Sequence, residues 1–362
     1  MKRLLAIAII LAAAVNGFAK TSTIKATDSR VVFVGRTLVD GTAVKFDWSG
    51  VTARLKFTGT TLSVTCSSTG IAYYNVWVDK APTAKSDFTF SVKDEQKVVL
   101  AEKLKKGEHT VIIQKRNEGD RGIATVSSFE CDGEFLQGEP LRQRRIEVVG
   151  DSYTCGYGTE SAGRDEPFRV EEENCNLTYA AMLGRYFDAD VTWVSHSGLG
   201  IVRNYADASS NTNMVKKYTQ TFDMKEEPAW DASKSSFIPD IVVIYLGTND
   251  FSVGKQPLIG AWCENYATLL SEIRANYGEQ VPILCVGSKV NEKMGYYVEE
   301  AVRRSGQKNI GWTCIYDTGI NDTTDLGADW HPNYAGHRKV ASCVIPYVST
   351  LTGWDMPFKA VE

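Results

Sequence analysis

Three short blocks in the second half of this 362-residue chain carry side chains that could do covalent chemistry. The first is Gly150-Asp151-Ser152-Tyr153-Thr154, directly after the apolar run Arg145-Ile146-Glu147-Val148-Val149. A serine just past a buried strand, at the turn into a helix, lies beside free backbone N–H groups. That suits a nucleophile whose own amide helps to hold an oxyanion. Alone, the triplet is common and reads more readily as a helix cap or turn serine. The second block, Gly247-Thr248-Asn249-Asp250, follows the run Ile241 to Leu246. The Asn249 amide could donate toward a carbonyl oxygen near Ser152, and a plain β-turn would use the same residues. Gly198-Leu199-Gly200 offers a further donor, because glycine lets the backbone N–H approach a substrate closely. The third block is Asp329-Trp330-His331-Pro332-Asn333. A loop histidine can turn toward Ser152, and Asp329 could accept from its other ring nitrogen and fix the tautomer.

Four histidines compete for the base: His109, His196, His331 and His337. His109 lies in the first half. His196 is the rival, being close to Gly198. His337 reads as a surface residue of the closing helix. No H-E-x-x-H or close Cys/His grouping is present, so no metal site is expected. The G-x-S-x-G elbow is also missing.

The elements that must position these residues divide near residue 140. From Val31 to about Leu136, short alternating segments such as ARLKF, interrupted by Asp40-Gly41 and Asp79 turns, predict an all-β sandwich of the jelly-roll kind. From Arg144 onward strands and helices alternate. Strands are expected at Arg145–Gly150, Asp190–Val194, Ile241–Leu246, Val281–Val286 and Trp312–Asp317. Helices are expected at Leu177–Phe187 (capped by Asn176), Trp262–Tyr277 and Asn333–Leu351, with Pro346 a place to kink or stop. Apolar strands between helices make a parallel sheet covered on both faces, a three-layer α/β/α domain. Ligands of such sheets sit at the carboxyl ends of the strands, and all the blocks above follow strands.

Residues 1–19 read as a secretory leader: Met1-Lys2-Arg3, an apolar run from Leu4 to Val15, then small residues ending at Ala19. The expected organisation is therefore a leader at 1–19, a β-sandwich at 20–140 and a catalytic domain at 141–362, exported to the periplasm or the medium. No later stretch is long and apolar enough to span a bilayer. The balance of 40 basic against 44 acidic residues, with no basic tract, excludes nucleic acid as an expected partner. Export makes disulfides permissible. Cys155 and Cys175 flank a polar loop and are the leading pair, with Cys66 and Cys131 a second.

The ordered blocks together resemble the SGNH (GDSL-like) hydrolases, in which the first supplies the nucleophile, the next two oxyanion donors and the last the base. By that resemblance Ser152 is the nucleophile and His331 the base. The Ser152 amide, Gly200 (or Gly198) amide and Asn249 amide form the oxyanion hole. The stretches GDSYTCGYGTE, SGLGIVRNY, GTND and DWHPN, preceded by a jelly-roll module, are similar to carbohydrate esterase family 2 over nearly the whole chain. That resemblance implies an exported deacetylase of plant cell-wall polysaccharides needing no cofactor, with Tyr205 at the sugar; Trp330, beside His331, is a second candidate for contact with acyl or sugar. One departure stands out: the position three before His331 is Ala328, where the broader superfamily has Asp. Either Asp329 or a backbone carbonyl must orient the imidazole. Two other readings remain open: a superfamily esterase for lysophospholipid or sialate esters, and an inert carbohydrate-binding protein.

Overall fold

The computed structural model describes residues 21–207, 211–288, 292–315 and 319–362. The expected leader lies outside them. No helix among the described residues is long and apolar enough to cross a membrane.

The first part of the chain forms two antiparallel sheets of six strands each. Their alternation is what the sequence pattern requires. Leu62, Val64 and Cys66 of strand Leu62–Ser68 are buried while Ser63 and Thr65 are half-exposed. The inward residues of both sheets, including Phe57, Leu62, Val111 and Phe129, share one core. Each such side chain removed from water contributes about 1.5–3 kcal/mol.

The second part is a five-stranded, all-parallel sheet. Its order is Ala189–Ser195, Arg144–Gly150, Ile241–Tyr245, Ile283–Ser288, Ile310–Ile315. The three central strands are buried along almost their entire length, which is why they read as unbroken apolar runs. In chain order this arrangement is 2-1-3-4-5, so the winding direction reverses between Arg144–Gly150 and Ile241–Tyr245. A crevice opens at such a switch point, outside the carboxyl ends of the two strands. Ser152 follows one of them and Asn249 the other.

Helix Ile259–Tyr277 is present, and the closing helix runs from Tyr334 through Pro346 to Thr352 without stopping. Helix Glu292–Ser305 was not foreseen. The helix expected from Leu177 starts at Tyr179, with Thr178 at the cap position but its hydroxyl turned to the Cys175 carbonyl at 2.7 Å. Asn176 is buried instead, donating to the Thr83 carbonyl at 2.8 Å and accepting from Arg185 at 2.9 Å.

The cysteine pairs do not form. Cys155 is a buried thiol 3.3 Å from Ser195 Oγ, and Cys175 one 3.4 Å from the Lys115 carbonyl. Burial holds both protonated, pushing Cys175 up to about 12 and Cys155 well above its ordinary value. Cys66 and Cys131 lie on adjacent strands but face Val126 and Leu62 across the ladder, so register keeps them apart.

The β part is not a loosely tethered module. Trp48, fully buried, donates to the Thr221 carbonyl at 3.0 Å. Asp47 accepts from the Asp223 and Met224 amides at 2.8 and 3.2 Å, and Asn75 reaches Asn174 at 3.0 Å.

Candidate active site

Strand Arg144–Gly150 delivers Ser152 to the first position of a one-turn helix, Ser152–Cys155. The turn is tight: a Cβ on Gly150 would sit 1.9 Å from Thr154 Oγ1. Asp151 caps the turn by accepting from the Tyr153 amide at 3.2 Å. Among the described residues the Ser152 amide has no protein acceptor, as is usual for first-turn amides.

His331 reaches Ser152 from the loop before the closing helix. Its Nε2 lies 2.8 Å from Ser152 Oγ. Its Nδ1 lies 3.0 Å from the Asp329 carbonyl and 3.3 Å from the Ala328 carbonyl. Carbonyls only accept, so Nδ1 carries the proton and Nε2 is the lone-pair nitrogen facing the hydroxyl. Burial depresses the His331 pKa below its ordinary value, against the opposing pull of the Asp329 and Ala328 carbonyls. The ring is therefore neutral at pH 7, the state in which it can take a proton.

The Asp329 carboxylate does not touch His331. It accepts from the Tyr157 hydroxyl at 2.8 Å, while its own main chain supplies the imidazole contact. The turn responsible is unusual: Asp329 and Trp330 both take left-handed backbone conformations, with φ of 48° and 63°. Their amides donate to the Glu166 and Arg164 carbonyls at 3.2 Å each. The Tyr157 ring completes the support, 4.4 Å from the His331 ring centre and stacked on Phe168 at 3.9 Å. This predicts that Asp329→Asn, whose amide oxygen can still accept from Tyr157, lowers kcat by less than about tenfold. A triad aspartate acting through its side chain loses about 10⁴ on the same change. Steady-state kinetics on 4-nitrophenyl acetate separates the two, and a loss near 10⁴ would restore the side chain to the triad.

The other histidines are accounted for. His196 Nδ1 lies 2.7 and 2.9 Å from the two Asp223 oxygens. Burial works against its charge, but Asp223 outweighs it and pushes the pKa up to about 9. An imidazolium locked at neutral pH is no base, which removes the rival. His337 is buried rather than on the surface, packed against Tyr153 and Tyr179. Burial, then the neighbouring His331, lowers its pKa to about 3. His109 stays in the β part, bonded to Asp79 and the Lys105 carbonyl at 2.7 Å each.

Asn249 and Asp250 lie on a short turn after strand Ile241–Tyr245. Asn249 Nδ2 donates to the Leu199 carbonyl at 2.8 Å, and its one other partner among the described residues, Asp151 Oδ2, is a long 3.4 Å away. Asp250 accepts from the Ile201, Val202 and Arg203 amides at 2.8, 2.8 and 3.1 Å, so it builds the glycine loop beside Asn249. Gly200 is required for packing: a Cβ there would lie 2.2 Å from the Arg203 carbonyl and 2.4 Å from Asp250 Oδ2. Its amide is already taken by Asn204 Oδ1 at 3.2 Å. Gly198 differs. It has a φ of 79°, room for a Cβ in ordinary contact with Tyr205 at 4.0 Å, and an amide with no protein acceptor among the described residues. Of the two glycines, the geometry favours Gly198 as donor.

Tyr205 and Trp330 are exposed large aromatics, 58% and 52% accessible, on the glycine loop and beside His331 respectively. The Tyr205 amide donates to the Gly198 carbonyl at 2.7 Å, and the Arg164 guanidinium lies 4.0 Å above the Trp330 ring. Sequence reading did not find Tyr157, which lay unremarked inside GDSYTCGYGTE.

Comparison with known proteins finds esterases of the same fold. The model described as carbohydrate esterase 2 N-terminal matches residues 33–140, and the GDSL-like lipase/acylhydrolase family model matches residues 148–339. Cellulase/esterase CelE of Acetivibrio thermocellus is 32% identical over 327 residues, covering 87% of this chain but only 38% of CelE, so this chain spans well under half of that relative. An acetylxylan esterase/glucomannan deacetylase of Cellvibrio japonicus is 27% identical over 342 residues, 92% of each chain. Among solved structures, a family two carbohydrate esterase from Clostridium thermocellum in complex with cellohexaose superposes with a TM-score of 0.81. It is 30% identical, over 90% of this chain and 100% of that one. A family two carbohydrate esterase from Cellvibrio japonicus gives 0.81 at 26% identity, over 92% and 99%.

Proposed function

This chain belongs to carbohydrate esterase family 2, a family of carboxylic ester hydrolases, and from that premise we propose that it removes O-acetyl groups from plant cell-wall polysaccharides. The observation that carries the reading is the 2.8 Å contact between His331 Nε2 and Ser152 Oγ, with Nδ1 held on carbonyls. His331 takes the hydroxyl proton as Ser152 attacks the acetyl carbonyl. The oxyanion is held by the Ser152 and Gly198 amides and the Asn249 side chain, each such donor worth roughly 10²–10³ in rate. His331 then protonates the departing sugar oxygen, and water attacks the acetyl-serine by the same route in reverse. No step draws on a metal or organic cofactor.

Two observations support acetyl and sugar over a fatty acyl chain. Ser152 is only 6% exposed, so a small acyl group reaches it most easily. Tyr205 and Trp330 offer flat apolar faces of the kind that pack on a sugar ring. The relatives' names point the same way: acetylxylan esterase and glucomannan deacetylase. The leader read in residues 1–19 supports export, where such polymers are met.

The test is acetate release from acetylated xylan and glucomannan, set against 4-nitrophenyl esters of two, eight and sixteen carbons. The reading expects the polysaccharides and the acetyl ester to be cleaved and the rate to fall with chain length. Faster cleavage of the long esters would support the lipid-ester alternative. Binding of polysaccharide with no turnover of any ester would support the binding-protein alternative.

The pH profile follows from the His331 environment. The working base is neutral, so kcat/KM for an uncharged ester rises with pH through the free-enzyme pKa and then levels off. Because burial lowers that pKa, the midpoint of the acid limb is expected below 6.5, the ordinary histidine value. A midpoint above 7 would mean that a carboxylate stabilises the imidazolium directly.

A further inference from the structure

The β part of the chain sends one carboxylate into the catalytic half. Glu118, past the end of strand Gly107–Lys115, is 1% exposed. Its Oε2 accepts from the Ser197 amide at 2.7 Å and lies 3.6 Å from Cys155 Sγ. Ser197 is the residue before Gly198, and Cys155 ends the one-turn helix that begins at Ser152. One buried carboxylate thus touches both segments that carry the reacting groups. Glu118 is itself held in place. Its amide donates to Glu173 Oε2 at 3.3 Å, and its carbonyl accepts from Lys115 Nζ at 3.0 Å.

The residue before Ser197 is fixed from the same side. His196 is clamped by Asp223, whose amide donates to Asp47 of the β part at 2.8 Å. The His196-Ser197 pair is therefore tied to the β part at both residues, once through Asp223 and once directly. Asp250 and Asn249 hold the far end of the loop, from Leu199 to Arg203. The peptide between these two sets of ties carries the Gly198 amide.

We propose that Glu118 is a positioning residue for catalysis: by accepting the Ser197 N–H it sets the direction of the Gly198 amide, so the β-sandwich supplies part of the oxyanion hole's support. This rests on the acyl-transfer reading above. The proposal gives the β part a role in the chemistry besides any hold on the polymer. It also explains why a buried carboxylate is kept at a domain junction, where removing it from water is costly unless it is well hydrogen-bonded.

Two conservative variants separate reach from charge. Glu118→Gln keeps the length and an accepting oxygen but loses the charge. Glu118→Asp keeps the charge but falls one methylene short of Ser197. The measurements are kcat and KM on 4-nitrophenyl acetate, with the inhibition constant of a small alkylboronic acid that forms a tetrahedral adduct on serine. Thermal melting checks the fold. Glu118→Gln is expected to keep kcat and the inhibition constant within about threefold. Glu118→Asp is expected to lose roughly ten- to a hundredfold in kcat, the scale of a small misplacement at a reacting centre. Its affinity for the boronic acid should weaken in proportion, with KM nearly unchanged. The proposal is overturned if Gln fails and Asp works, if both fail alike, or if both match the parent. Ser152→Ala in the same series tells the two readings apart. If it is inactive while both Glu118 variants match the parent, only the positioning role is lost; if it is active, the acyl-transfer reading itself fails.

Discussion

Ser152→Ala is expected to lower kcat on 4-nitrophenyl acetate by on the order of 10⁴-fold or more, with the fold intact. The hydroxyl is the one nucleophile held against His331 among the described residues, at 2.8 Å, and alanine leaves nothing there to carry the acetyl group. The fold should survive because the change removes one hydroxyl and leaves the Asp151 cap of the turn in place. KM should move far less than kcat, since the tetrahedral stage and not the bound ester is destabilised. Steady-state kinetics with a melting curve reads both quantities.

His331→Ala is the second large effect, and its size should depend on the leaving group. Alanine removes the base for attack, which costs up to about 10⁶ when the histidine of a serine–histidine pair is lost. On an acetylated sugar it also removes the acid that protonates a strongly basic alkoxide, whereas 4-nitrophenolate departs without a proton. The loss should therefore be greater on acetylated xylan than on the nitrophenyl ester. Added imidazole should recover part of the nitrophenyl rate, because the space left opens toward Ser152 and the carbonyls of Asp329 and Ala328 remain to orient a ring N–H. The Ser152→Ala/His331→Ala double variant should be no slower than the worse single one, as expected when the two act as a unit. Equal losses on both substrates with no rescue would argue that His331 serves packing and not proton transfer.

How much of this could be read from residues alone depended on how local each signal was. The parallel strands were legible because burial on both faces leaves uninterrupted apolar runs such as Ile241–Tyr245. The approach of His331 to Ser152 was legible because the blocks that carry them follow strands, and strand ends are where such sheets bind ligands. Asp329 misled because a carboxylate two residues from a histidine is a natural partner on paper. Only the left-handed turn at Asp329 and Trp330 reveals that the main chain makes the contact and the side chain goes to Tyr157. At Gly200 the signal was double: its glycine is demanded by Asp250 and Arg203, a packing cause that spacing does not distinguish from an oxyanion cause. The Cys155–Cys175 pair failed because sequence separation says nothing of where two buried thiols point. His337 read as exposed because a polar residue on an amphipathic helix usually is, yet Tyr153 and Tyr179 enclose it. Glu118 had no signal at all. It is 79 positions from Ser197 and belongs to the other half of the chain.

The central claim is acyl transfer through Ser152, and the most direct measurement is to catch the acyl group there. The parent enzyme would be mixed with excess acetyl ester and quenched in acid within the first turnovers. The peptide containing Ser152 would then be examined by mass spectrometry, with Ser152→Ala treated in parallel. The account predicts an acetyl group on Ser152 in the parent, gone once substrate is consumed, and none on the variant's peptide. Rapid turnover in Ser152→Ala, or turnover in the parent with the acetyl group found on another residue, would contradict it.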